Sequence, residues 1–134
     1  MDTNQLKNMV RIGIVSSVNG ANCTAKVTFP DKDNMVSGDL PIIQLGANGT
    51  EGYWVPEVGT RVLCLFVPNP SGSGLNAGFV LGAYYSKTTP PAENDESVRS
   101  MRFPDGSFIR YDHGTITINA ASQIILKAPV IHIN

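Results

Sequence analysis

The chain has 134 residues, of which 42% are hydrophobic and 16% charged, and its formal net charge at pH 7 is −1. This length suits one compact domain plus a tail, and the charge balance offers no basic patch of the kind that binds nucleic-acid phosphates. Gly and Pro are abundant, at 13 and 9 residues, and no helical period extends beyond residues 2–9. Short strands joined by turns are therefore expected, and the predicted fold class is all-β.

The sequence shows no pattern typical of export or membrane insertion. No segment approaches the roughly 20 apolar residues of a membrane span, and the N-terminus lacks a charged region followed by a long apolar run. We therefore expect synthesis and initial folding in a cytoplasm. In that setting Cys23 and Cys64, which both fall in apolar strand patterns, are expected to be buried free thiols. Neither has a neighbouring His or a CxxC partner, so metal binding by these cysteines is not expected.

Residues 1–9 form an N-terminal extension, and residues 10–85 are predicted to form an OB-type domain. The first strand, 10–18, ends at Asn19-Gly20, a strong hairpin signal. Further strands are predicted at 23–29, 40–45, 61–67 and 77–85. The strand at 61–67 is the most apolar and is expected to be buried on both faces. About five strands around a small core fit an OB-type Greek-key barrel.

Residues 86–97 (SKTTPPAENDES) are polar and contain two prolines, which is typical of a linker. A second block, 98–134, begins with a short apolar pattern and a Pro-Asp-Gly turn at 104–106. Two strands of about five residues are then predicted at 115–119 and 123–127, because apolar and polar residues alternate there with period two.

These terminal strands have no partner sheet in the sequence that follows them. Their apolar row consists of Ile116, Ile118, Ile124 and Leu126. One chain is poorly placed to bury that row or to pair the strand edges. The simplest arrangement winds several copies around one axis with the apolar row inward, so we expect a fibre or spike with a mechanical function.

Several residues could instead indicate chemistry. Gly72 and Gly74 could cradle a phosphate, but no Lys-Ser/Thr pair or helix pattern follows them, which favours a loop. His113 adjoins Asp112 and lies near Ser107, yet it lacks a nucleophile context, which favours a role as a polar residue at a corner of the chain.

An acid–base pair for cleaving cell-wall sugars could be drawn from the carboxylates Glu51, Glu57, Asp105 and Asp112. Asp105 sits in a turn, where capping of the local backbone is expected.

Four aromatic residues could form a stacking platform for single-stranded nucleic acid, as OB barrels often provide. They are Tyr53, Trp54, Tyr84 and Tyr85. Few cations accompany them, so core or interface packing is favoured. No catalytic residue and no enzymatic activity are predicted, because no nucleophile, base and orienting group converge in the pattern.

The order of these blocks resembles the central spike, or baseplate assembly protein V, of contractile phage tails and related injection machines. The resemblance covers residues 10–134. It is carried by RIGIVSSV (11–18), VTFPD (27–31), YWVPEVGTRVLCLF (53–66), GFVLGAYY (78–85), and DGSFIRYDH (105–113) leading into ITINA (116–120). A lysozyme domain, which some spikes carry between barrel and helix, has no room in the twelve-residue linker.

The resemblance implies a homotrimer with an OB domain that docks on the baseplate hub. Residues 98–134 would form an intertwined triple-stranded β-helix whose tip pierces the host outer envelope on contraction. The expected location is the virion tail baseplate, without nucleic acid as a partner. The alternative is an OB-type nucleic-acid or ligand-binding module, and a small hydrolytic enzyme is a third hypothesis.

The resemblance also bears on His132. Many spikes of this family bind one iron ion at the tip through His-x-His from three chains, and here the second His is replaced by Asn134. If Val130, His132 and Asn134 point inward, a metal or a hydrogen-bonded polar layer is expected. If Ile131 and Ile133 point inward, His132 is exposed, and a separate PAAR-type cap would suit the blunt end.

Overall fold

The computed structural model describes residues 3–68 and 75–134, with backbone alone at residues 4, 5, 75 and 76. The chain divides into two compact units, 1–90 and 91–134. The elements are α1 Thr3–Met9, β1 Val10–Asn19, β2 Thr24–Phe29, a 3-10 turn Pro30–Lys32, β3 Met35–Val36, β4 Leu40–Pro41, β5 Ala47–Asn48, β6 Thr50–Glu51, β7 Arg61–Pro68, β8 Leu75–Ala83, β9 Arg99–Arg102, β10 Phe108–Asp112 and β11 Thr115–Asn119.

The predicted all-β class is confirmed, since strands account for 43% of the chain and helix for 7%. The helix α1 spans seven residues and occupies the N-terminal stretch where a helical period was seen. Within the described residues, none of the helical segments is long and apolar enough to cross a membrane.

The first unit is built on one antiparallel sheet in the order β3-β2-β1-β7-β8, with β4 paired to β2. A single parallel bridge joins Ile42, just after β4, to Val80 on β8. The Ile43 N–H donates to the carbonyl of Val80 at 2.9 Å, and the Ile42 N–H donates to that of Cys23 at 3.1 Å. The residues after β4 therefore contact both Cys23, which directly precedes β2, and Val80 on β8, although no continuous ladder closes the sheet among the described residues.

The core of this unit comes from inward-facing residues on alternate strand positions. Its members are Val15, Ala25, Val27, Phe29, Leu40, Ile42, Val62, Cys64 and Val80. Both cysteines are free, as predicted, but only Cys64 is buried as expected. Cys23 is half-buried, because it lies in the loop before β2 and not within a strand. The expectation that 61–67 is buried on both faces is wrong. Val62 and Cys64 are buried, whereas Leu63 is exposed, because β7 belongs to a sheet covered on one side only.

The first hairpin turns where Asn19-Gly20 predicted a turn, but it is longer than a two-residue turn. Asn19 pairs with Thr24, so four residues connect β1 and β2. The Asn19 side-chain oxygen accepts hydrogen bonds from the N–H groups of Ala21 and Asn22 at 3.0 and 3.3 Å. The asparagine thus caps the loop instead of occupying its centre.

The second unit contains a three-stranded antiparallel meander in the order β11-β10-β9. The Pro104-Asp105-Gly106 turn connects β9 to β10, and the Asp105 carboxylate accepts the Ser107 N–H at 2.9 Å, the local capping expected for it. His113 and Gly114 connect β10 to β11 with φ of 48° and 91°. Two positive φ values in a two-residue loop are typical of a type I′ hairpin turn.

The strand predicted at 123–127 is not formed in the single chain. Residues 120–134 contain neither helix nor strand. A strand needs a hydrogen-bonded neighbour, and the isolated chain offers these residues none. The alternation of apolar and polar side chains at 123–127 is a property of the sequence. The hydrogen-bonded ladder of a strand also requires a neighbouring strand.

Candidate assembly surface

One face of the C-terminal sheet is mainly apolar and uncovered, with Arg99, opposite Tyr111, as its charged member. The register places Ile109 opposite both Met101 and Ile118, and Tyr111 opposite Ile116. Directly opposed residues and alternate residues along a strand share a face, so these five side chains form one surface, called here the apolar sheet face. Their exposed fractions run from 45% for Tyr111 to 70% for Ile116.

The unit that carries this face has no core of its own. All of residues 91–134 are described, and none of them is buried. A three-stranded sheet gains stability by packing one face against something apolar, and without that burial nothing offsets the entropy of ordering the chain. Extended exposed apolar surfaces mark sites of association. The apolar sheet face is therefore the candidate assembly surface.

The four residues predicted to form a trimer core lie in two places. Ile116 and Ile118 belong to the apolar sheet face. Ile124 and Leu126 lie in the segment after β11, where both are exposed. The sequence predicted that all four residues form one apolar row. The structure places Ile116 and Ile118 in a sheet, and the packing of Ile124 and Leu126 stays a prediction.

His132 lies near the end of the same segment and is exposed. A single chain brings one imidazole to this position. Among the residues that the structure describes, no three His, Cys, Asp or Glu side chains converge in a way that could hold a metal ion. Further ligands for a metal at His132, such as Asn134 oxygens, waters or the His132 side chains of other copies, stay a prediction.

The opposite face of the sheet is polar and is tied to the linker through Glu93. One oxygen of its carboxylate accepts from Arg102 Nη2 at 2.7 Å and from Arg110 Nε at 2.9 Å. The second oxygen accepts from Arg110 Nη2 at 3.2 Å. Arg110 thus binds the Glu93 carboxylate through two nitrogens, and this bidentate geometry makes guanidinium–carboxylate pairs strong and directional.

This arrangement changes the acidity of Glu93. Hydrogen bonds from Arg110 and then from Arg102 lower the pKa of Glu93 to about 2. Arg102 also lies over the Phe108 ring, with 4.9 Å between its Cζ and the ring centroid. The polar face is therefore held by the linker, which leaves the apolar sheet face as the side that needs covering.

A Ser, a His and an Asp also meet on this unit. His113 Nδ1 lies 2.5 Å from an Asp112 oxygen, and His113 Nε2 lies 3.4 Å from Ser97 Oγ. This is the order of a catalytic triad, and the sequence missed it because Ser97 is sixteen residues away. The hydrogen bond from His113 is also the main cause that lowers the pKa of Asp112.

The geometry does not activate the serine. The Ser97 hydroxyl donates its proton to Asp95 at 2.6 Å, so that proton is not directed at the imidazole. The His113 side chain is 67% exposed, which leaves it without the water exclusion that strengthens active-site electrostatics. We interpret the three residues as a cap that joins the linker to the β10–β11 turn.

The other candidate residues are dispersed. Tyr53 donates from its hydroxyl to the Gly20 carbonyl at 2.9 Å, and Tyr84 and Tyr85 line a separate cavity of about 520 Å³ with Arg61. These contacts give the stacking-platform hypothesis no support.

Glu51 and Glu57 belong to the first unit, and Asp105 and Asp112 to the second. Gly72 and Gly74 lie outside the described residues.

Sequence reasoning missed Met101, Ile109 and Tyr111 as members of the apolar sheet face. The signal was present as alternation in β10, where Arg110 separates Ile109 from Tyr111, whereas β9 offers Met101 alone. It was obscured because Phe108, on the polar face, directly precedes Ile109. Only the cross-strand register shows that Phe108 and Ile109 lie on opposite faces of the sheet.

An all-β chain that leaves one mainly apolar sheet face exposed is typical of a subunit whose core is completed by assembly. Among known proteins, the chain is similar to the spike protein of Escherichia phage P2, with 28% identity over 138 residues. The match covers 94% of this chain and 61% of that protein, so the chain spans about three-fifths of its relative's length. No protein-family model matches the chain. The similarity confirms the predicted resemblance to phage spike proteins.

Proposed function

We propose that this chain is the structural central spike of a contractile tail baseplate, located in the virion tail. The observation that carries the proposal is the apolar sheet face on a unit without a single buried residue. Such a unit becomes stable when copies of itself cover the face. The similarity to a phage spike protein supplies the biological setting.

The first unit is proposed to be an OB-type barrel that docks on the baseplate hub. Its strand pairing supports this, because β2, β1, β7 and β8 are neighbours in that order. β4 itself pairs with β2, and Ile42, the next residue, forms a parallel bridge to β8. A Greek-key barrel of five strands has this pairing order.

The second unit is proposed to form a homotrimeric β-helix. Three copies related by a threefold axis would each supply an apolar sheet face to one common core. Fully burying an Ile side chain is worth roughly 1.5–3 kcal/mol, so three copies of Ile118 alone would contribute several kcal/mol. Ile124 and Leu126 would extend the same core, and their partner strands would come from neighbouring chains.

The remaining partners follow from the same proposal. The host envelope would be pierced on contraction, and either a metal ion or a separate PAAR-type cap would complete the tip. Three His132 imidazoles with Asn134 oxygens offer a mixed nitrogen and oxygen set that suits iron. The proposed function is mechanical, without enzymatic activity. In its support, the Ser97 proton is directed at Asp95 and not at His113. Nucleic-acid binding is not part of the proposal, because the net charge of −1 favours no association with phosphates.

The proposal is tested by locating the chain in purified particles. Gold-labelled antibody against the first unit should mark the tail baseplate, and mass spectrometry should find the chain in intact particles. Particles made with Ile118→Asp should lack the chain and lose infectivity or killing activity. Thr117→Asp is the matched control, since Thr117 is its neighbour on the polar face, opposite Arg110. Loss of activity with both variants, or with neither, would contradict the proposal.

A further inference from the structure

The chain contains two Asn-Gly dipeptides, Asn19-Gly20 and Asn48-Gly49, and all four residues are exposed. Asparagine before glycine is prone to spontaneous deamidation, because glycine has no side chain to shield its backbone nitrogen from the preceding side-chain amide. The reaction requires rotations that bring the glycine nitrogen onto the asparagine side-chain carbon. Exposure does not distinguish the two sites, so the contacts that resist these rotations decide which site reacts.

The Asn19-Gly20 dipeptide is held by three hydrogen bonds. Asn19 Oδ1 accepts from the N–H groups of Ala21 and Asn22 at 3.0 and 3.3 Å. The Gly20 carbonyl accepts from the Tyr53 hydroxyl at 2.9 Å. Rotating the Asn19 side chain and the following peptide into the reactive geometry displaces these groups. Two ordinary hydrogen bonds together correspond to about a tenfold change in a population, so this site is expected to react slowly.

The Asn48-Gly49 dipeptide lies at the tip of the hairpin formed by β5 and β6. Asn48 pairs with Thr50, and each of these strands is two residues long. Among the described residues, the Asn48 side chain forms no hydrogen bond and the Gly49 N–H donates none. A Cβ at Gly49 would have no heavy atom within 4 Å, so the tip has room to rearrange. So short a hairpin opens locally at little cost in free energy.

We infer that Asn48 is a site of spontaneous deamidation, whereas Asn19 is protected by its hydrogen bonds. The Gly49 nitrogen gives its proton to solvent base and attacks Asn48 Cγ. The new N–Cγ bond closes a five-membered succinimide, the Cγ–Nδ2 bond breaks, and Nδ2 takes up a proton and leaves as ammonia. Water then opens the ring. Attack at Cγ leaves aspartate at this position, and attack at the backbone carbonyl leaves isoaspartate. Water is the only co-reactant.

Both products change the hairpin. Each adds one negative charge to a hairpin that already carries Glu51. Isoaspartate also routes the main chain through its side-chain carbons, which lengthens the backbone by one atom and disturbs the pairing of position 48 with Thr50. The inference concerns the chemistry of the chain itself and does not depend on the proposed function.

The test is a time course on the native protein at mildly alkaline pH, followed by tryptic digestion and mass spectrometry. The two sites fall in different tryptic peptides, 12–26 and 33–61. Peptide 33–61 should gain the mass of one amide-to-carboxylate exchange at least about tenfold faster than peptide 12–26. Fragment ions should place the change at Asn48, and isoaspartate methyltransferase should label it. Equal rates, or a faster change at Asn19, would overturn the inference.

Unfolding provides the control for the role of structure. In guanidinium chloride the two peptides should react at similar rates, because they contain the same dipeptide and the hydrogen bonds are lost. A rate difference that persists there would show that neighbouring sequence, and not the fold, protects Asn19, and would overturn the inference.

Two variants test the site and its protection. Asn48→Gln should abolish the mass gain in peptide 33–61, because a glutamine side chain would have to form a larger ring. A gain that persists would place the reaction elsewhere. Tyr53→Phe removes one of the three hydrogen bonds and should speed the reaction at Asn19 by a few fold, without changing that at Asn48. An unchanged rate at Asn19 would contradict the protection assigned to this contact.

Discussion

At the scale of single residues, Glu93 links the linker to the C-terminal sheet. Its carboxylate receives three hydrogen bonds from Arg102 and Arg110. The side chain remains 24% exposed, so solvent weakens these pairs relative to a buried network. The effect of these ion pairs on the stability of the folded chain should therefore be measured as a function of pH.

Glu93→Gln should lower the thermal midpoint of unfolding at pH 7. The pKa of Glu93 is about 2 in the folded chain against an ordinary 4.5. A depressed folded pKa contributes stability that is present above the unfolded value and lost as pH falls towards 2. The difference from wild type should therefore be largest above pH 4.5 and should vanish near pH 2.

Glu96→Gln is the matched control for that measurement. Glu96 lies in the same linker, and its side chain forms none of the ion pairs found among the described residues. Its substitution should leave the midpoint nearly unchanged at every pH. A Glu93→Gln effect of equal size at pH 2 and pH 7 would show that the charge is not responsible.

The two thiols should differ in reactivity. Burial raises the pKa of Cys64 to about 11, an effect partly offset by the nearby Arg11, so little thiolate is present at pH 8. Iodoacetamide should label Cys23, which is half-buried, before Cys64 in the native protein. Both should react in guanidinium chloride without reductant. Equal native labelling rates would contradict the buried position of Cys64, and no labelling after denaturation would indicate a disulfide.

At the scale of elements, close packing between β1 and β2 requires a glycine. A Cβ at Gly13 would collide with the Val27 side chain and lie 2.8 Å from the Thr28 carbonyl oxygen. Backbone cannot move aside as a flexible side chain can. Gly13→Ala should lower the free energy of unfolding by about 1–3 kcal/mol, the usual range for overpacking.

Gly82→Ala provides the control for Gly13→Ala in chemical denaturation. Gly82 lies on β8, and a Cβ there would have no heavy atom within 4 Å. Its substitution should change the free energy of unfolding by less than about 0.5 kcal/mol. Equal effects at the two positions would mean that strand propensity, and not packing, sets the cost.

The elements also show how far the sequence could predict the fold. The strands predicted at 10–18, 23–29, 61–67, 77–85 and 115–119 correspond to β1, β2, β7, β8 and β11, because apolar strand patterns and the turn residues between them are local features of a sequence. The length of the first loop depended on the pairing of Asn19 with Thr24, which no local pattern encodes. The failure at 123–127 has another cause, since the pattern was read as a strand whose partner is absent from one chain.

At the scale of the whole molecule, the sequence predicted only some of the residues that form the candidate assembly surface. Ile116 and Ile118 were identified from alternation near the end of the chain. Met101, Ile109 and Tyr111 required the register of three strands. The barrel closure, the β-helix and the tip chemistry at His132 stay predictions, because each depends on contacts that extend beyond one chain's local pattern.

The most direct test of this account is the mass of the native protein by light scattering after size-exclusion chromatography. We predict a mass equal to three chains for the wild-type protein and for Thr117→Asp. Ile118→Asp should fail to form the trimer, because it would place three carboxylates in one apolar core. A wild-type protein that is monomeric at micromolar concentration, or an Ile118→Asp protein that remains trimeric, would contradict the claim that the apolar sheet face is the assembly surface.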